Sequence, residues 1–71
     1  IINHNEPGMI SKITDSIAEF DINIAEMTNK SRDGIAINLI DLESKVTEEL
    51  LQRLKSVEHV VMARALNKEG D

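Results

Sequence analysis

The chain has 71 residues, 13 of them acidic and 8 basic for a net charge of −5, with no cysteine and one aromatic, Phe20. That length holds one domain. The missing cysteines exclude a disulfide or thiolate metal site, and an acidic balance with no basic cluster or aromatic platform argues against nucleic-acid binding.

A single core of this size seldom supplies more than ~3–5 kcal/mol, so small domains usually carry a staple. With no disulfide available, a partner chain is the expected one, and the chain is expected to form a homodimer. No apolar run reaches the ~20 residues of a membrane helix, and the start lacks the basic and apolar regions of a signal peptide. Absence of cysteine suits a reducing compartment, so the expected location is the cytoplasm. A chain that opens on a strand, without a polar leader or a Met, reads as a piece of a longer protein.

Residues 1–5 read as a short strand. Pro7 suits the first position of a helix, where its missing N–H needs no partner. Met9, Ile10, Ile13, Ile17 and Phe20 then recur at helical spacing, which predicts an amphipathic helix of about four turns, with Asn5 or Glu6 as its cap. Asp21 marks a tight turn with positive φ, which Asp tolerates. Ile22 to Ser31 reads as a strand. Its apolar phase slips from Ile22 and Ile24 to Ala25 and Met27, which predicts a bulge or an edge position.

Arg32-Asp33-Gly34 is a hairpin turn signal. Ile35 to Glu43 is dense in apolar residues, as an interior strand would be. Thr47 is placed to cap a second helix, with Glu48 and Glu49 against its N-terminal dipole and Val46 able to staple onto Leu51. Leu50, Leu51, Leu54 and Val57 form its buried stripe. Val60 to Leu66 reads as the last strand, and residues 67–71 as a polar tail expected to fray. The order β-α-β-β-α-β, with right-handed crossovers, predicts an α+β ferredoxin-like fold: a four-stranded antiparallel sheet with both helices on one face, first and third strands central, second and fourth at the edges.

Little in the chain suggests chemistry. The serines have no histidine near them in sequence, and Gly8, Gly34 and Gly70 are too scattered for a phosphate loop. The acidic residues read as a solvated face. His4 and His59 fall at one end of the predicted sheet, but two rings are an incomplete zinc site, and His59 also fits a positive-φ turn position. Asn3 and Asn5 share a direction on the first strand, and Asn23 opens the second. An amide offers both donor and acceptor, so it can hold an ammonium and a carboxylate. Gly8 leaves N–H groups open to an anion near a helix N-terminus. Asn3, Asn5, Gly8 and Asn23 are therefore the candidate effector-binding residues, with the duller alternative that they merely cap and turn the chain.

Asn-His-Asn-Glu-Pro-Gly-Met at 3–9, Asn-Ile-Ala-Glu-Met-Thr-Asn-Lys-Ser-Arg at 23–32 and Ala-Ile-Asn-Leu-Ile-Asp-Leu-Glu at 36–43 resemble the ACT domain. Among ACT domains they look like the C-terminal regulatory domain of D-3-phosphoglycerate dehydrogenase, over residues 1–66. The ACT domain of the serine dehydratase β-subunit is the alternative within the resemblance, although it tends to have a longer, glycine-rich hairpin than Arg32-Asp33-Gly34. The resemblance implies a βαββαβ fold, dimers joined through the first helix and second-strand edge, and L-serine bound at that seam. It also implies a parent that is an NAD-dependent oxidoreductase, with its NAD in other domains and no cofactor in this one. The family's serine contacts fall on Asn5 and Asn23. Its histidine falls on Asn3, where this sequence departs from the pattern, while His4 is one residue out of register.

Three functions compete on this reading. The chain is an amino-acid-sensing regulatory domain, a purely structural oligomerisation domain, or a small ferredoxin-like catalyst such as an acylphosphatase. The last needs a phosphate-binding arginine loop, and none lies between Asn5 and Met9.

Overall fold

A computed structural model describes residues 1–66, so the polar tail expected at 67–71 lies outside the described residues. The elements are β1 (Ile2–His4), α1 (Met9–Ala18), β2 (Ile24–Arg32), β3 (Ile35–Leu42), α2 (Glu48–Lys55) and β4 (Val60–Met62). The sheet is antiparallel in the order β2-β3-β1-β4. This is the ferredoxin-like arrangement expected from the sequence, with β1 and β3 central.

The core lies between helices and sheet. Met9, Ile13 and Ile17 of α1 pack with Leu50 and Leu54 of α2, and Val57 and Ala63 close the cluster. The helical spacing of these residues is what brings them to one face. Phe20, Leu51 and Val46 are half-buried against the cluster. Arg53 on α2 reaches Glu19 at the end of α1, at 3.1 Å, across the outer surface of the helix pair.

The turns follow their residues. Asp21 has φ +57°, as its place between helix and strand suggested. Asp33 and Gly34 have φ +55° and +80°, the mirror-image turn that the twist of a two-residue hairpin prefers. The turn sets the register, with Arg32 opposite Ile35 and Asn29 opposite Asn38. The phase slip in β2 is a bulge between Ile24 and Glu26. Thr47 caps α2, its Oγ1 accepting from the Leu50 N–H at 3.1 Å.

Four local expectations are corrected. Pro7 lies in a turn before α1 and is not its first helical residue. Neither Asn5 nor Glu6 caps that helix: its N-cap is Gly8 at φ +82°, with no side-chain cap bond. The chain turns off β1 in the left-handed region at Gly8, which glycine adopts at no steric cost. α1 stops at Ala18, so Phe20 packs from the following turn, and Ile10 is 48 % exposed instead of in the buried stripe. β4 ends at Met62, paired with Ile2, and not at Leu66.

Beyond Ile1, β3 continues to Leu42 with no neighbour on its β1 side. Beside it lies an open apolar slot of about 750 Å³ among the described residues, walled by Leu39–Leu42 and Ala63–Leu66 and floored by Ile17, Leu50 and Leu54. The Ile1 nitrogen stands at its mouth, donating to the Asn38 carbonyl at 2.9 Å.

Candidate functional site

The second strand-to-helix feature of interest is a smaller pocket of about 230 Å³, at the junction of β1 and α1. Its sheet side is lined by Asn3, Asn29, Ala36 and Asn38, with Asn5, Glu6 and Gly8 on the loop and Met9, Ile10 and Ser11 at the start of α1. Three of the four residues singled out from the sequence, Asn3, Asn5 and Gly8, therefore meet here.

Each wall has a local cause. Side chains alternate across a strand, so Asn3 faces the helices while Ile2 and His4 face the open side of the sheet. Asn5 is anchored by its own N–H, which donates to the Gly34 carbonyl at 2.8 Å. The first helical bond runs from the Lys12 N–H to the Gly8 carbonyl. The N–H groups of Ile10 and Ser11, ahead of it, have no partner among the described residues, as the opening turn of a helix requires. They point partial positive charge toward the pocket.

The floor is a ladder of amides that crosses three strands. Asn29 Nδ2 donates to Asn38 Oδ1 at 2.5 Å, and Asn38 Nδ2 donates to Asn3 Oδ1 at 2.6 Å. Asn3 Nδ2 then donates to the His4 carbonyl at 2.8 Å. Asn3 and Asn38 are each 1 % exposed, and no buried side-chain nitrogen or oxygen among the described residues lacks a partner. A buried amide left unbonded would cost about 1–3 kcal/mol, so a fully connected ladder is the condition for placing polar groups here at all.

Asn29 and Asn38 were not foreseen as site residues, yet a signal was present. Asn38 interrupts an apolar strand on the same face as Ala36 and Ile40. Counting three residues back and three forward from the Arg32–Ile35 pair of the hairpin sets Asn29 opposite it.

Asn23, the fourth expected residue, lies elsewhere. It precedes β2 and donates to Glu43 Oε1 at 3.3 Å, at the far end of β3 from the hairpin. Within one chain it does not join the others. His4 and His59 do meet, their rings edge-to-face with centroids 6.3 Å apart, and His59 takes the positive φ (+76°) expected of a turn residue. No group of three or more His, Asp or Glu side chains stands together among the described residues, so the third ligand that zinc wants is not beside these two rings.

The chain is similar to the D-3-phosphoglycerate dehydrogenase of Haemophilus influenzae. The two are 29 % identical over 65 residues, which is 92 % of this chain and 16 % of that enzyme. The chain thus spans about a sixth of the relative's length. No family model matches it.

The arrangement sets hydrogen-bond donors and acceptors around the pocket. Donors for a carboxylate come from the free N–H groups of α1 and the spare N–H of each amide. Acceptors for an ammonium come from the amide oxygens and from Glu6, the one charged side chain in the lining. Ser11 is the only hydroxyl there, with no histidine in the lining to serve as its base. The volume falls below the ~300–1,000 Å³ of ordinary ligand pockets, which suits a molecule of a few heavy atoms.

No helix among the described residues is long and apolar enough to cross a membrane.

Proposed function

We propose that this chain is an ACT-type, amino-acid-sensing regulatory domain of a cytoplasmic phosphoglycerate dehydrogenase, binding an effector such as L-serine at the seam of a homodimer. The observation that carries the reading is the pocket at the β1–α1 junction, which gathers Asn3, Asn5 and Gly8 beside unbonded helix N–H groups. It occurs in a chain similar to such a dehydrogenase over nearly its whole length. The parent's NAD belongs to domains beyond these residues, and the chain itself catalyses nothing.

The seam accounts for Asn23. β2 is an edge strand of nine residues with one side unpaired, and such an edge is a template for another strand. Two β2 edges paired about a two-fold axis run antiparallel. That pairing carries Asn23 of one copy toward the hairpin end of the other, where Asn5 is tied to Gly34. A structural oligomerisation domain is the second reading. It is favoured by the Asn23–Glu43 bond, which occupies that amide within its own chain.

Two measurements decide. Sedimentation at micromolar concentration should give a dimer, and a stable monomer would remove the seam. Calorimetric titration with L-serine should show binding, weakened about 10- to 100-fold in Asn23→Ala, the worth of a hydrogen bond to a charged group. No heat at millimolar L-serine from the unmodified chain would leave the structural reading.

A further inference from the structure

We draw no further inference here: the strongest candidate, the open apolar slot between Leu39–Leu42 of β3 and Ala63–Leu66, carries nothing because no feature of the described residues shows what covers it.

Discussion

Ile13→Ala should destabilise the domain by about 2–5 kcal/mol, the usual cost of emptying a fully packed aliphatic site. Ile13 is 0 % exposed, at the centre of the cluster that joins α1 to α2 and the sheet. Its neighbours come from separate elements, each held by its own hydrogen bonds, so they cannot all collapse into the space. A domain of this length has a total stability of roughly 4–10 kcal/mol, so the substitution removes a large part of it. Urea denaturation is the direct measurement. A loss under ~1 kcal/mol would mean that the buried face of α1 is not the one described.

The second large effect concerns the ladder. Asn38→Val should cost about 1–3 kcal/mol, because it strands Asn3 Oδ1 in the interior without a donor. Asn29, being exposed, can turn to water. Adding Asn3→Val should then cost little more, or recover some of the loss. The His4 carbonyl that Asn3 releases still accepts from the Glu6 N–H at 2.8 Å, so no backbone group is orphaned. The pair should therefore show a coupling of roughly 0.5–3 kcal/mol in a double-mutant cycle, the range for residues in one network. Strict additivity would show that the two amides do not depend on each other for their bonds.

Much of the candidate site was legible in the residues, because its parts are local. Asn3, Asn5 and Gly8 fall within six positions of one another, and a strand leading directly into a helix leaves them together whatever the rest of the chain does. Asn29 and Asn38 were harder to see. Their role depends on a diagonal step from Asn38 to Asn3, which lies opposite Ala36, and that step exists only once β1 has paired with β3. Asn23 was legible as a polar strand-end residue, but its distance from the pocket is a property of the sheet order.

The sequence by itself determined the elements, the hairpin and the topology. Apolar residues at helical spacing, the Asp33-Gly34 turn, the Thr47 cap and the slipped phase of β2 each act over a few residues, so each can be read from a few residues. Only the tertiary structure decided where the elements end and what the interior amides do. α1 begins at Met9, after Gly8 has turned the chain off β1, and β4 stops at Met62, where it pairs with Ile2. Asn38, which in sequence looks like a defect in an apolar strand, becomes the middle of a satisfied ladder. In each case the deciding partner is distant in the chain, and the cost of a buried group without a partner selects the arrangement that supplies one.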